Sequence, residues 1–465
     1  MRHFKCVSKE RSFRVSLFLF RRDFRLEDNT GLIFALQSST IVIPAFIFTP
    51  EQIDHNPYRS DHCLQFMLES LDDLATQLKK KGAQLRYFQG DPKAIVKRCI
   101  QEVKIDALIV NRDYTPYSRA RDADLESVCK KHGVAFVSFD DALLHPPEET
   151  VKKDGKPYTI FTPYFKNASQ YAVAKPTANR STNYYQKAIS FALKKAPVQT
   201  NVSTSLKGGR SEALKILKRL GTFKKYNDAR NFPAQNGSTH LSPYLKFNVC
   251  SVREVYEAIC DALGRSHELV RALYWRDFFT AIAWFFPHVF KGAFQPKYNK
   301  LKWSYNKVVF RKWCEGKTGF PIVDAGMREM NQTGFMHNRV RMIAASFLVK
   351  DLHIDWRWGE KYFAQMLVDY DPAVNNGNWQ WAASTGCDAQ PYFRIFNPWN
   401  QQEKFDPDCA YIHRWIPELG HLSPKEIHRW HDPKIQTKCT DYPPPIVAHD
   451  KEAKRALAYY KVVSH

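Results

Sequence analysis

The chain has 465 residues, 44% hydrophobic and 25% charged, which is too long for one ordinary core and too apolar for a disordered segment. Its net charge is +22, and residues 1–135 hold 22 Lys+Arg against 17 Asp+Glu, so most of the excess lies in the remainder. Such a field attracts phosphate backbones, but charge alone does not separate a nucleic-acid partner from an ordinary basic protein.

The ten cysteines are scattered from Cys6 to Cys439, and no two share C-x-x-C spacing. Neither a zinc site nor a dense disulfide framework follows, so no metal is expected and the thiols suit a reducing compartment. Met1 to Arg14 is basic without an apolar core. The run Val15–Phe20 is short and is followed by Arg21-Arg22-Asp23, which does not make a signal or membrane segment. A cytoplasmic protein without a membrane partner is expected, nucleoid-associated in a bacterium or nuclear in a eukaryote.

In chain order, Val15–Phe20, Ile41–Phe48, Gln84–Tyr87, Ala107–Val110 and Ala135–Phe139 predict strands. Between them, Leu64, Met67, Leu71, Leu74 and Leu78 recur at helical spacing up to Lys79-Lys80-Lys81-Gly82. Asp91-Pro92 opens a second helix over Ala94–Val103. Strand–helix alternation predicts a Rossmann-like parallel α/β domain over residues 1–135, although no G-x-G-x-x-G is present. Residues 136–205 are turn-rich, notably at His145-Pro146-Pro147 and from Asp154-Gly155 to Pro163. They read as an interdomain connector wrapped on the surface. Over residues 206–465 helical spacing dominates, as in Ala213, Ile216, Leu217 and Leu220, in Val252–Leu263 and in Met342–Leu352. The second domain is therefore read as all-helical.

Two stretches interleave polar side chains with tryptophans at a density no ordinary core needs. One runs Phe335-Met336-His337-Asn338-Arg339-Val340-Arg341-Met342. The other runs Asp369-Tyr370-Asp371-Pro372-Ala373-Val374-Asn375-Asn376-Gly377-Asn378-Trp379-Gln380-Trp381. Arg21 through Asn29, Tyr226 through Arg230, Gly237 through Leu245, Trp275-Arg276-Asp277-Phe278-Phe279, Glu315 through Asp324 and Asn397 through Asp406 complete an ordered set. Together these motifs resemble the DNA photolyases and cryptochromes over nearly the whole chain, and within them the class I cyclobutane pyrimidine dimer (CPD) photolyases of microbes.

The resemblance implies a light-dependent lyase in which reduced FAD, excited by blue or near-UV light, passes an electron to a flipped-out dimer in UV-damaged DNA. It also implies a monomer. Photolyases are among the enzymes known to flip their target base. Ser238, Thr239, His240, Leu241 and Ser242 match the flavin-phosphate loop, and Tyr226 a flavin-contacting tyrosine. Without the resemblance, Ser and Thr here read as helix caps. Asp369 and Asp371 match the two aspartates near the flavin ring and ribitol. By the same resemblance Arg341 would sit against Asp369 and the flavin, and Arg276 and Asn338 join the cofactor set. Asn375 is placed beside flavin N5, where its amide can donate or accept. Trp379, Trp356 and Trp303 match the three tryptophans that relay electrons from the surface; as composition alone, they read as packing. Ala272, Trp275, Phe279, Asn338, Arg339, Met342 and Trp381 match the lesion pocket and its rim. Arg230, Arg339, Gln401 and Lys404 match contacts to the DNA backbone.

Three departures stand out. The family's Glu three residues before Trp275 is Ala272 here, and one lost charged hydrogen bond costs about 1.5–3 kcal/mol. Phe335 replaces the usual Trp, and Asp369-Tyr370-Asp371 replaces D-G-D. Tyr117-Ser118, not Asn-Glu, precede Arg119-Ala120-Arg121-Asp122, so a folate antenna loses its carboxamide partner. The pattern from Asn111 to Tyr117 favours a deazaflavin-type antenna, with an empty or flavin-occupied site left open. Two alternatives also stay open: a cryptochrome-like photoreceptor without repair, which Ala272 favours, and a (6-4) photolyase, which Met336-His337-Asn338 disfavours.

Overall fold

A computed structural model describes residues 12–54, 56–200, 202, 204–235 and 237–464. Most of the basic N-terminal stretch, including Cys6, lies outside the described residues. Five strands, β1 (Phe13–Phe20), β2 (Ser39–Phe48), β3 (Arg86–Gln89), β4 (Ala107–Asn111) and β5 (Ala135–Phe139), form one sheet in the order β3-β2-β1-β4-β5. Every neighbouring pair is parallel; Leu17 of β1 lies opposite Ile43 on one side and Leu108 on the other. The runs read as strands are these five. β3 begins two residues later than the sequence predicts, because Ala45 pairs first with Arg86. No strand follows β5 among the described residues, and no helix there is long and apolar enough to cross a membrane.

The expected helix at 64–78 is Asp61–Lys80, capped by Ser60 accepting from the Cys63 N–H, with Leu64, Met67, Leu71, Leu74 and Leu78 buried. The next, capped by Asp91, runs Pro92–Arg98 and continues as a wider turn over Cys99–Val103. Two helices were not visible in the periodicity, Thr30–Ser38 and Pro116–Lys131. The second buries only Ser118, Leu125 and Cys129, so it presents no apolar stripe to read. In the other half Val252–Leu263 matches its expectation and carries a capping box between Ser251 and Glu254. The stretch expected over Met342–Leu352 begins earlier, as helix Asn338–Ser346 followed by a wider turn at Phe347–Asp351.

The connector needs correction. It is not merely wrapped on the surface. Residues Phe161–Ala168 form a helix with Phe161, Tyr164 and Ala168 buried, and Pro163 sits in its first turn, where a proline is tolerated. Further on, Tyr184 pairs with Val42 of β2 and Leu193 with Tyr87 of β3, so the connector lies along the sheet edge.

The two halves share one apolar core that runs from Phe18 and Phe24 to Phe247, Val270 and Phe278. Phe24 stacks on Phe247 with ring centroids 5.7 Å apart. Beside this contact Asp141, 1% exposed, pairs with Arg25 at 2.6 Å and with Arg253 at 2.8 Å, while Asp28 also pairs with Arg253 at 2.8 Å. Burial opposes the Asp141 charge, but Arg25 and Arg253 outweigh it and hold the carboxyl down to about 2.

Removing one partner from such a group leaves buried charge unpaired, so Asp141→Ala should lose about 3–5 kcal/mol, read as a shift of the denaturant midpoint. The folded-state carboxyl titrates below the unfolded one. Its contribution is therefore complete above about pH 4 and is lost as pH falls toward about 2. A wild-type minus variant difference that stays flat between pH 5 and 2.5 would contradict this account.

Candidate functional site

Helix Pro372–Ala382 organises the site. Its N-cap is Asp371, which accepts from the Ala373 and Val374 N–H groups at 3.0 and 3.2 Å. The second oxygen of Asp371 is 2.6 Å from Arg22, whose other terminal nitrogen is 2.6 Å from Asp113. Arg22 follows β1 and Asp113 follows β4, so this triad joins the sheet to the helical half. Burial works against the Arg22 charge, but Asp113 and Asp371 outweigh it and raise its pKa. Burial likewise opposes the Asp371 carboxylate, and Arg22 and Lys246 more than compensate, holding it below its ordinary value. Lys246 is pushed down, first by burial and then by Arg22.

Two residues before the cap, Asp369 forms a bidentate pair with Arg341 at 3.1 and 2.9 Å and accepts from the Ser242 hydroxyl at 2.6 Å. Arg341 is fixed further by donating to the Met336 carbonyl at 2.7 Å. Asp369, Asp371, Arg341 and Ser242 are thus brought together, as the sequence predicts. Asp371 does cap its helix, so the capping role and membership of the cluster hold at once.

The loop before helix Ser242–Lys246 turns through His240, whose φ of 55° lies in the left-handed region. Thr239 is buried and its hydroxyl lies 3.4 Å from the Leu241 N–H; Ser238 lies 3.4 Å from His240 Nε2. The Nδ1 of His240 is buried with no hydrogen-bond partner, and the ring leans on Phe335 at 4.6 Å. Nearby, His337 caps helix Asn338–Ser346 through its Nδ1. It is driven down to about 4, first by burial and then by His240, Arg341, Arg339 and Arg230. Three arginines thus gather around the two histidines, with Glu329 accepting from the His337 N–H at 3.2 Å and Asp369 paired to Arg341. Arg230 sits over the Tyr226 ring at 5.2 Å, and Arg339 over Phe405 at 4.3 Å while donating to Asn231 at 2.5 Å.

Asn375 donates its Nδ2 to the Glu360 carbonyl at 3.0 Å, and its Oδ1 has no hydrogen-bond partner among the described residues. One residue on, Asn376 donates to the Glu360 side chain at 2.9 Å, and Gln380 donates to Asn376 at 3.0 Å. Burial raises the Glu360 carboxyl to about 7. On the same helix Trp379 is 2% exposed, and it lies against Gly359 of helix Trp356–Met366, where an added Cβ would be 2.2 Å from its ring. Trp356 is 3% exposed, and Trp303 is half-buried beside Ile354, held there by the Ser304 pairing. Trp379 and Trp356 are thus both buried, and Trp303 is partly exposed.

On the remaining face, Trp275 stacks on Phe161 of the connector at 3.6 Å and 6°, and Ala272 is exposed one turn earlier. Trp381 is half-buried, Asn338 is exposed, and Met342 lies 3.9 Å from the Asn338 amide. Gln401 is half-buried with an unpartnered Oε1, and Lys404 is exposed. Two expected residues are engaged by neighbouring side chains and backbone. Phe279 is 4% exposed, fills the crossing against Gly377 and stacks on Trp275 with ring centroids 5.5 Å apart. Arg276 pairs with Asp277 at 3.2 Å and donates to the Ala142 carbonyl, toward the sheet domain. Sequence reading missed Arg22, Lys246 and Glu360 as members of the site. Arg22 stood inside a quoted motif, yet its partner Asp371 lies 349 residues away. Among the described residues no group of three or more His, Cys, Asp or Glu side chains could hold a metal ion.

The residues fit a flavin dinucleotide. Paired carboxylates, clustered arginines with an unpartnered His240 Nδ1 and an open Asn375 Oδ1 supply donors and acceptors for ribose, phosphate and ring edge.

Comparison with known proteins agrees. The family model described as FAD binding domain of DNA photolyase matches residues 269–462, and that described as DNA photolyase matches residues 16–181. A deoxyribodipyrimidine photo-lyase of Alkalihalophilus pseudofirmus is 37% identical, over 95% of this chain and 97% of the relative. Among solved structures, an archaeal photolyase from Sulfolobus tokodaii with two FAD molecules matches with a TM-score of 0.86 at 42% identity, covering 96% of this chain and 100% of that one. A cryptochrome from Synechocystis sp. matches with a TM-score of 0.88 at 27% identity, covering 99% and 100%.

Gly359→Ala tests the contact that seats Trp379. Alanine gains about 1 kcal/mol of helix propensity, but its Cβ would stand 2.2 Å from the indole. We expect a net loss of about 1–3 kcal/mol in urea denaturation with a changed near-UV tryptophan signal. An unshifted midpoint and spectrum would show that the helices part freely there.

Proposed function

The chain belongs to the DNA photolyase family, and from that premise we propose that it is a deoxyribodipyrimidine photo-lyase that uses FAD and light to split cyclobutane pyrimidine dimers in UV-damaged DNA. The observation that carries the reading is the frame at the head of helix Pro372–Ala382. Arg341–Asp369 and Arg22–Asp371 fix the start of the helix, and its next turns bear Asn375, Trp379 and Trp381. Bound FAD supplies light absorption and the electron that enters the dimer; the protein supplies position, electrostatics and exclusion of water.

In this reading Ser238, Thr239, His240, Leu241, Ser242 and Tyr226 hold the phosphates and ribose, with Asp369 and Asp371 beside them. Arg341 sets positive charge against the ring. Asn375, its Nδ2 committed to Glu360, offers Oδ1 to a ring N–H. Trp303, Trp356 and Trp379 carry an electron inward from the surface, a reading supported by the partial exposure of Trp303 and the burial of the other two. Trp275 and Trp381 with Met342 form apolar walls for the extruded bases, and Phe161 backs Trp275. Arg230, Arg339, Gln401, Lys404 and Asn338 take the DNA backbone and rim. Phe279 and Arg276 act through packing and the domain seam.

The division 1–135, 136–205 and 206–465, a monomeric state and a cytoplasmic or nuclear compartment belong to the same proposal. For the antenna we favour a deazaflavin-type or second flavin over folate, since Ser118 donates to Asp113 where a folate-type site carries a carboxylate. A cryptochrome-like photoreceptor is the second reading, favoured by the exposed Ala272 and the likeness to a cryptochrome.

Two measurements separate these readings. FAD-loaded protein, reduced under blue light, should restore thymines in dimer-containing oligonucleotides in light and not in darkness. Ala272→Glu should raise the yield if the missing carboxylate is limiting. Reduction without restored thymines in both proteins favours the photoreceptor. Arg230→Ala should lower the slope of log affinity against log salt by about 1, measured by fluorescence anisotropy on damaged DNA. An unchanged slope removes Arg230 from the interface.

A further inference from the structure

A cavity of about 420 Å³ shares none of its lining residues with the cofactor set. That volume is in the range that takes a small organic molecule. Its walls combine two chemistries: Tyr298, Trp303 and Trp356 are aromatic, while His288, Lys291 and Arg357 bring cationic or protonatable nitrogen, and none of the residues lining it is acidic. Asp355 engages Arg357 from behind, at 3.0 and 3.1 Å from Nε and 2.6 Å from Nη2, so part of that charge is matched. Lys291 is exposed and has no acidic partner among the described residues. The loop that carries Lys291 is pinned by Asn299, whose Oδ1 accepts from the Ala293 N–H at 2.9 Å. That bond leaves the Asn299 amide N–H groups to donate into the cavity it lines.

We propose that this cavity docks a small anionic one-electron donor of the enediolate class, of which ascorbate is the probe, and that the donor re-reduces Trp303. The inference rests on the relay reading of Trp303, Trp356 and Trp379. Once an electron has moved inward, Trp303 is left as a radical cation. The enediolate monoanion gives one electron, the indole returns to its neutral form, and the donor becomes a neutral radical that sheds its proton to water. The positive wall concentrates the anion at the indole and leaves uncharged donors to collide at random.

The test uses FAD-loaded protein. Ascorbate binding is measured in darkness by calorimetry, and the photoreduction rate is measured against ascorbate concentration, with neutral dithiothreitol as the uncharged donor. We expect dark binding and a saturating rate in the wild type. A His288→Glu, Lys291→Glu double variant should raise the ascorbate half-saturation at least tenfold and leave the dithiothreitol rate within twofold. Both positions are exposed, and although the His288 ring also meets Phe286 and Phe294, the melting temperature should stay within a few degrees of the wild type. Trp303→Phe should slow photoreduction with both donors. A linear ascorbate dependence that the double variant does not change overturns the docking site. Photoreduction unaffected by Trp303→Phe, with dark binding intact, overturns instead the relay on which the re-reduction step depends.

Discussion

Arg22 holds two carboxylates from opposite halves of the chain, Asp113 behind β4 and Asp371 at the head of helix Pro372–Ala382, each at 2.6 Å. A single guanidinium can do this because its fork presents two donor edges in one plane and never loses its charge. Were it absent, two half-buried carboxylates would face each other across the seam with only Lys246 nearby. The helix that follows Asp371 bears Asn375, Trp379 and Trp381, so the alignment of those side chains with the sheet domain passes through this one residue. The Asp28–Arg253–Asp141–Arg25 group repeats the device deeper in the seam.

The parts of the fold legible in the sequence are those where burial is two-sided. Strands of a parallel sheet are covered on both faces and read as unbroken apolar runs, which is why β1, β2 and β4 stand out in the chain. Helix Asp61–Lys80 was legible through its five leucine and methionine positions. Helix Pro116–Lys131 was not, because its outer faces are polar and only three of its residues are buried. The helix at Phe161 hid behind Pro163, which reads as a breaker until it is recognised as a first-turn residue.

The candidate site divides along a different line. Asp369, Asp371, Arg341 and Asn375 were identified by resemblance, and the structure adds the partners that fix them. Lys246 and Glu360 carry no local signature and Arg22 stood in a motif without a visible partner, so the importance of all three arises only when folding brings distant charges into contact. Phe279 and Arg276 show the opposite case. Membership of a motif drew them into the site, whereas helix crossing and the domain seam claim their side chains.

The stack of Phe161 on Trp275 has a consequence for how the molecule ages. The turn between Lys152 and Lys156 is exposed and rich in lysine, an open target for trypsin-like proteases. Because both halves share a core and charge groups on either side of it, a cut there would release neither fragment. The break would loosen only the segment that buttresses Trp275. A nicked molecule would keep its mass on a sizing column and its cofactor frame while its aromatic wall softened, so ageing stocks would lose performance with no visible loss of integrity.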